Sequence, residues 1–238
     1  MTHQLNIKAP FSFAERQIAI WNHKLLSPYD LYWVPDVEEA PGIAGDLSHP
    51  SPLEPVRYVG ILSAVQKKTE RKSYHVIAVL SGPEPQRSRL EKMILHQADK
   101  LSYSFLVVRG KMEDKRPLYT KGNISIVGHL LGNDLSEAMS SAEVVIARSG
   151  YSTIMDLLMM EKKAILIPTP GQTEQEYLAT LYKQEKIFFV QSQKDFDLRQ
   201  AMEELAHYDV PDKKYQSKSL GCFVEEWMAL WKKKGEML

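Results

Sequence analysis

This chain of 238 residues has little cysteine, no formal net charge and no long apolar run. Cys222 is the single cysteine, which excludes an internal disulfide and a zinc site built from several thiolates. Thirty Lys and Arg balance thirty Asp and Glu, so no net field attracts nucleic acid or an anionic membrane. No apolar run of about 18 residues and no secretory signal pattern occur. These absences predict a cytoplasmic protein without a metal site or cofactor and without a nucleic-acid partner, peripheral to a membrane at most.

The remaining composition is that of an ordinary globular protein, with 44% hydrophobic and 25% charged residues. The first part of the chain, 1–61, has a helical apolar rhythm at 12–26 and two short strand patterns at 29–36 and 56–60, on either side of a passage rich in proline and glycine. The polar and charged stretch 62–73 is the predicted linker.

From residue 74 to about residue 210 the pattern becomes regular. Strands are predicted at 74–82, 103–110, 123–128, 143–147, 163–168 and 186–190, and helices at 86–100, 133–141, 152–160 and 174–184. Apolar strands that alternate with amphipathic helices are typical of a parallel sheet covered on both faces. The sequence therefore predicts an α/β fold, in which a Rossmann-like doubly wound parallel sheet forms the domain 74–210.

The loop "RSGYST" after the strand 143–147 is the most suggestive candidate site, because ligands of such sheets bind at the carboxyl ends of the strands. Ser149, Gly150, Ser152 and Thr153 would present hydroxyls and backbone N–H groups at a helix N-terminus, which suits a phosphate. Asp156, one turn later, could accept hydrogen bonds from the two hydroxyls of a vicinal diol. A phosphate site beside a diol site indicates a nucleotide. The alternative is a capping box, in which Thr153 and Asp156 only satisfy the helix's own N–H groups.

Two further loops of the predicted sheet carry candidate ligand-binding residues. In "SGPEPQR", Gly82 after Ser81 allows a close approach of the backbone to a ligand, and Arg87 could supply positive charge. In "PTPGQTEQEYLA", Gln175 and Glu176 could bind sugar hydroxyls. A proline-rich helix start and acidic residues favoured by the helix dipole explain these two loops about equally well.

The order of these motifs resembles the C-terminal, donor-binding domain of glycosyltransferase family 28, a family of GT-B architecture that includes the lipid-linked N-acetylglucosaminyltransferase of peptidoglycan synthesis. The resemblance covers about residues 74–183. It rests on the motif Arg-Ser-Gly-x-x-Thr-x-x-Asp, in which the last residue is the family's acidic position, and on the strand ending in Pro and the loop with Gln that follow it. It implies two facing Rossmann-like domains, a UDP-sugar donor close to UDP-GlcNAc, and a metal-independent inverting transfer.

The resemblance also implies roles for individual residues. The diphosphate loop would include Arg148, Ser149, Gly150, Ser152 and Thr153. The ribose hydroxyls would bind Asp156, where the family's usual residue is Glu, and the donor sugar would meet Gln175 and Glu176. The backbone of Leu131 and Gly132 would read the uracil, and Ser81 and Gly82 would form the first glycine-rich turn, followed by Arg87.

Residues 1–61 resemble the last third of the family's N-terminal, acceptor-side domain, so the chain looks like one that begins inside a domain. His3 is the one candidate for a general base in this part. The acceptor would be a lipid-linked molecule or a glycan. A partner chain that supplies the rest of the domain is a second expectation from this resemblance.

The C-terminal segment 211–238 is predicted to form a helix with Phe223, Trp227 and Trp231 on one face. This face could pack back on the N-terminal part, as in GT-B enzymes, or lie in a membrane interface. For the whole chain, three functions stay open beside an active transferase: a non-catalytic donor-binding subunit, a UDP-sugar epimerase or hydrolase, and a non-enzymatic relic of the fold.

Overall fold

The computed structural model describes residues 1–9, 11–69, 72–114, 118–211 and 220–235. These residues divide into two compact units. Unit 1 comprises Met1–Leu62 together with the C-terminal helix, and unit 2 comprises the chain from Ser63 up to residue 211.

Helices and strands alternate through most of the chain. The α-helices are α1 Ser12–Leu26, α2 Gln86–Ala98, α3 Gly132–Ser140, α4 Tyr151–Met159, α5 Thr173–Gln184, α6 Leu198–Leu205 and α7 Leu220–Gly235. The strands are β1 Tyr32–Val34, β2 Val56–Tyr58, β3 Tyr74–Val79, β4 Phe105–Val108, β5 Tyr119–Lys121, β6 Ile124–Val127, β7 Ala142–Ala147, β8 Lys163–Leu166 and β9 Phe189–Val190.

Unit 2 is built on a seven-stranded sheet in the order β5-β6-β4-β3-β7-β8-β9. All neighbouring strands run parallel except the edge pair β5 and β6. The central strands are buried on both faces, as in β4, because helices cover the sheet on either side. This arrangement confirms the predicted α/β class with a doubly wound parallel sheet.

Two elements of unit 2 were not predicted from the sequence. Strand β5 is short and exposed at every position, so it has neither a buried face nor an apolar run to signal it. Helix α6 is amphipathic and begins at an N-cap, where the side chain of Asp197 accepts a hydrogen bond from Gln200 N–H at 2.9 Å. An Asp that precedes apolar residues at helical spacing is a helix start signal, and it could have identified α6.

Unit 1 is organised by one buried carboxylate. Strands β1 and β2 pair in parallel, and between them the proline- and glycine-rich passage folds around Asp36, which is fully buried. Asp36 accepts hydrogen bonds from the N–H groups of Ile43 and Ala44 at 2.6 and 2.9 Å and from Ser48 Oγ at 2.5 Å. Ser48 Oγ in turn lies 2.8 Å from His49 Nδ1. The passage contains no strand or α-helix, and these hydrogen bonds give it a defined conformation.

The C-terminal helix α7 belongs to unit 1. The ring of Trp227 packs edge-on against the ring of Trp33 in β1, with 6.3 Å between the centroids. The side chain of Trp231 lies outside the described residues. None of the helices that the structure describes combines the length and the hydropathy needed to cross a membrane.

Two lysines share one pair of backbone carbonyls at the end of α3. Lys162 Nζ donates to the carbonyls of Ser140 and Ala142 at 3.1 and 2.5 Å, and Lys72 Nζ donates to the same two at 2.9 and 2.7 Å. Lys162 is buried. Burial, together with the hydrogen-bonded and charged Lys72 beside it, lowers the pKa of Lys162 to about 7.

Lys162 should make the stability of the protein rise with pH. Between about pH 7 and 10.5 the unfolded chain holds a proton on Lys162 that the folded chain has released, so raising the pH favours folding. The slope from one such group is at most about 1.4 kcal/mol per pH unit. Urea unfolding of the parent and of Lys162→Met at about pH 7 and pH 9 should show a larger rise in the parent. Equal slopes in the two proteins would contradict this assignment.

Candidate functional site

The crevice where the sheet reverses its winding direction is the candidate site. From β3 the chain builds outward to β4 and β6, and it then crosses back to place β7 on the other side of β3. Val79 at the end of β3 is the register partner of Ala147 at the end of β7. The loops that follow these two strands therefore leave from adjacent positions, which is where open α/β sheets bind ligands.

The N-terminus of α4 lies at this crevice. Gly150 is its N-cap residue, and no side chain caps the helix, so the capping box that the sequence offered as an alternative does not form. Ser152 is exposed and Thr153 is half-buried. Because the first N–H groups of a helix have no intrahelical acceptor, this helix end can bind an anion.

The carboxylate of Asp156 is held by the segment that opens unit 2. Ser63 Oγ donates a hydrogen bond to Asp156 Oδ1 at 2.6 Å, and the N–H of Ala64 donates to the same carboxylate. Burial raises the pKa of Asp156, and these two hydrogen bonds act in the opposite direction. Asp156 as a whole is half-buried. No motif in the sequence predicts that Ser63 lies here.

The loop after β8 is bonded to the loop after β7 through Gln175. Ser149 Oγ, which is fully buried, donates to the carbonyl of Gln175 at 2.8 Å. The side chain of Gln175 accepts from Thr169 N–H at 2.9 Å and donates to Gln172. Its Nε2 lies 4.0 Å from the position that a Cβ on Gly150 would take. These contacts bring Ser149, Gly150 and Gln175 together.

Glu176 and Gly82 lie at the surface, Glu176 in the first turn of α5 and Gly82 in the loop after β3. Glu176 is exposed, and its Oε1 accepts a hydrogen bond from Gly171 N–H at 2.9 Å. Gly82 has a φ of +95°, a conformation that side chains rarely adopt, and Ser81 beside it is exposed. A Cβ at Gly82 would lie 3.5 Å from Thr169 Oγ1, so the loops after β3 and β8 approach each other here.

Arg148 is buried and hydrogen-bonded within the protein. Its guanidinium donates to the carbonyls of Ile167, Pro168 and Gln86 and to Gln193 Oε1, at distances from 2.7 to 3.2 Å. Burial lowers its pKa to about 10. Arg148 therefore joins the loops that follow β3, β7, β8 and β9. We assign it the structural role of holding these loops in place, without a contact to a sugar-nucleotide ligand.

Arg87 has a similar position on α2. It is buried, and its guanidinium contacts the carboxylates of Glu84 and Glu91 and donates to the carbonyl of Arg109 at 2.7 Å. These contacts hold the guanidinium of Arg87 inside the protein, so the expectation that Arg87 offers its charge to a ligand is replaced by a structural role.

Two other predicted residues of unit 2 lie farther from the crevice along the sheet. Leu131 and Gly132 are exposed at the start of α3, after β6, which is separated from β3 by β4. His3 lies half-buried in unit 1.

Three buried side-chain atoms in the loops at the carboxyl edge have no hydrogen-bond partner among the described residues. They are His129 Nδ1 after β6, Arg148 Nε after β7 and Thr169 Oγ1 after β8. Buried polar atoms without partners are costly and uncommon in folded proteins. Among the described residues, no group of three or more His, Cys, Asp or Glu side chains could hold a metal ion.

A doubly wound parallel sheet with such loops at its reversal point defines the class of Rossmann-like α/β domains, which bind their ligands at this edge. The family model of the glycosyltransferase family 28 C-terminal domain matches residues 65–226. The chain belongs to this family of glycosyltransferases.

Curated relatives match part of this chain. A UDP-N-acetylglucosamine–N-acetylmuramyl-(pentapeptide) pyrophosphoryl-undecaprenol N-acetylglucosamine transferase from Haemophilus influenzae strain PittEE is 29% identical over 107 residues, which is 45% of this chain and 30% of the relative. The enzyme of the same name from Flavobacterium psychrophilum is 31% identical over 138 residues, 54% of this chain and 37% of the relative. The matches thus span about a third of the length of these relatives.

Solved structures of glycosyltransferases share the fold. The glycotransferase of kitacinnamycin superposes with a TM-score of 0.57 at 15% identity, covering 83% of this chain and 55% of that protein. MurG of Acinetobacter baumannii superposes with a TM-score of 0.51 at 14% identity, covering 85% and 55%.

Proposed function

We propose that this chain binds a UDP-sugar, close to UDP-GlcNAc, as the donor of a metal-independent, inverting hexosyl transfer. The observation that carries the proposal is the convergence of three loops at the reversal point of the sheet. The uncapped N-terminus of α4 at Gly150 supplies N–H groups for the diphosphate. Asp156, one turn along the same helix, supplies acceptors for the ribose hydroxyls.

The other proposed donor contacts follow from the same placement. Gly82 and Ser81 allow the backbone to approach the diphosphate from the side of β3. Ser152 and Thr153 add hydroxyls at the helix end, and Gln175 with Glu176 is proposed to face the sugar. Leu131 and Gly132 are proposed to read the uracil through their backbone.

The chemistry asked of this site is stabilisation of a leaving group. The acceptor hydroxyl attacks the anomeric carbon, the bond from that carbon to the UDP oxygen breaks, and negative charge accumulates on the diphosphate. A helix N-terminus lowers the energy of that charge without needing a metal. The acceptor's proton must go to a base, for which His3 in unit 1 is the candidate that the sequence offers. A lipid-linked acceptor is proposed because the relatives are named as transferases acting on a pyrophosphoryl-undecaprenol acceptor.

Calorimetric titration of the chain with UDP and with UDP-GlcNAc tests the proposal. We expect saturable binding of both, and no consumption of UDP-GlcNAc when acceptor is absent. Folded protein that binds neither ligand would overturn the proposal. Sugar released or converted without acceptor would favour a UDP-sugar hydrolase or epimerase.

A second candidate function, a donor-binding subunit that needs a partner chain, is favoured by the surface of unit 1. Ile18, Trp21 and Leu25 form an apolar stripe on α1 and are 39%, 68% and 69% exposed. Within the described residues β1 and β2 pair only with each other, whereas parallel strands are usually buried in larger sheets. Binding of UDP-GlcNAc without transfer to the undecaprenyl-linked acceptor named for the relatives would support this candidate, and transfer by the chain alone would exclude it.

A further inference from the structure

A strap at the start of unit 2, which we define as residues 63–68, crosses α3 and α4. Val65 is buried, and the N–H groups of Gln66 and Lys68 donate to Ser136 Oγ and Ser140 Oγ at 3.2 and 3.0 Å. The ammonium groups of Lys67 and Lys68 contact the carboxylates of Glu161 and Glu137. The strap is therefore fixed on two helices along its length, and its first residue, Ser63, reaches Asp156.

The hydroxyl of Ser63 has one proton and a choice of two acceptors. Asp156 Oδ1 lies 2.6 Å from Ser63 Oγ, whereas the carbonyl oxygen of Val65 lies 3.1 Å away. The shorter contact to a charged oxygen is the stronger one, so the proton points to Asp156. Val65 N–H donates to the same Oγ at 3.2 Å, which fixes the position of the hydroxyl.

The number of acceptor positions on Asp156 fits a vicinal diol. A carboxylate has about four lone-pair positions. Ser63 Oγ and Ala64 N–H occupy two of them. About two positions remain, and the two hydroxyls of a ribose donate two hydrogen bonds. The strap and the ligand can therefore use the same carboxylate together, without competing for it.

We propose that Ser63 is a positioning residue for ribose recognition, which orients the carboxylate of Asp156 so that both ring hydroxyls of the nucleotide can donate to it. This inference rests on the proposed function, because it assigns a role to a residue beside the ribose contact. By holding Asp156 in the orientation that accepts from both hydroxyls, Ser63 increases the preference of the site for ribonucleotides over 2′-deoxyribonucleotides. The deoxy ligand lacks one of the two hydroxyl donors and gains less from this orientation. A strap that only supports the fold would affect both ligands alike.

The test is the ratio of affinities for UDP and 2′-deoxy-UDP, measured by calorimetric titration of the full chain. Ser63→Ala should weaken UDP binding about tenfold and 2′-deoxy-UDP binding by less, so that the ratio falls. Ser63→Thr keeps the hydroxyl and should restore the ratio. Ser140→Ala is the matched control, because it removes a hydroxyl that holds the same strap at Lys68 N–H without touching Asp156.

Each outcome of this titration decides one point. If Ser63→Ala and Ser140→Ala weaken both ligands to the same extent, the strap is structural and the inference is overturned. If the parent distinguishes the two ligands and only Asp156→Ala abolishes the distinction, the inference on Ser63 fails while the proposed function stands. A parent that binds neither ligand overturns both.

Discussion

Asp156→Ala is expected to weaken UDP binding by at least about a hundredfold. The variant removes the acceptor of two proposed hydrogen bonds from the ribose, and hydrogen bonds to a charged group contribute about 1.5–3 kcal/mol each. Two such bonds correspond to a factor of about a hundred or more in the dissociation constant. Asp156→Asn keeps the size of the side chain and one oxygen, so an intermediate loss is expected. Calorimetric titration with UDP measures both variants.

The fold should survive this substitution, so that lost binding can be read as a lost contact. Asp156 is half-buried and its partners are confined to Ser63 and Ala64 among the described residues. Thermal unfolding of Asp156→Ala should therefore stay close to that of Ser63→Ala, which breaks the bond between these two side chains from the other end. Undiminished UDP binding by a folded Asp156→Ala variant would exclude the ribose assignment.

Arg148→Met should lower the free energy of unfolding by about 3 kcal/mol or more, because it leaves several acceptors without their donor. Three carbonyl oxygens and Gln193 Oε1 would lose the donor that now satisfies them. Each buried acceptor left without a partner costs about 1–3 kcal/mol. Urea unfolding measures the loss. Arg89→Met, on the exposed face of α2, is the matched control and should change the free energy by less than about 0.5 kcal/mol.

The same variant separates a structural arginine from a ligand-binding one. If Arg148→Met is as stable as the parent but no longer binds UDP, its guanidinium contacts the diphosphate and our structural assignment is wrong. If the protein loses stability and retains UDP binding below its unfolding transition, Arg148 acts only by holding the loops.

The strands and helices of unit 2 could be predicted because each central strand is a continuous apolar run between polar turns. The predicted strand ends were too long, as for 74–82 against Tyr74–Val79, because residues such as Leu80 are buried beyond the last ladder pair. The edge strand β5 has no apolar run and could not be found in this way. Its existence depends on the pairing of Tyr119 with Ile126 across a turn.

The candidate site could be predicted as a set of loops but not as a set of side-chain directions. Gly82, Gly150 and Gln175 follow strands whose carboxyl ends lie at one edge of the sheet. The topology alone therefore brings these residues close together. The positive charge of Arg87 and Arg148 did not predict the direction of their side chains. Both point into the protein, because backbone carbonyls and neighbouring carboxylates accept their hydrogen bonds. Ser63 was missed because its partner, Asp156, is 93 residues away in the chain.

The strap also determines how unit 2 could be prepared as an isolated domain. A recombinant protein that begins at Tyr74, the first residue of β3, would lack the buried Val65, and Ser136, Ser140 and Asp156 would lose their strap partners. One that begins at Ser63 would retain all of these contacts. The natural cutting point for domain dissection is therefore before Ser63, eleven residues ahead of the first strand of the sheet.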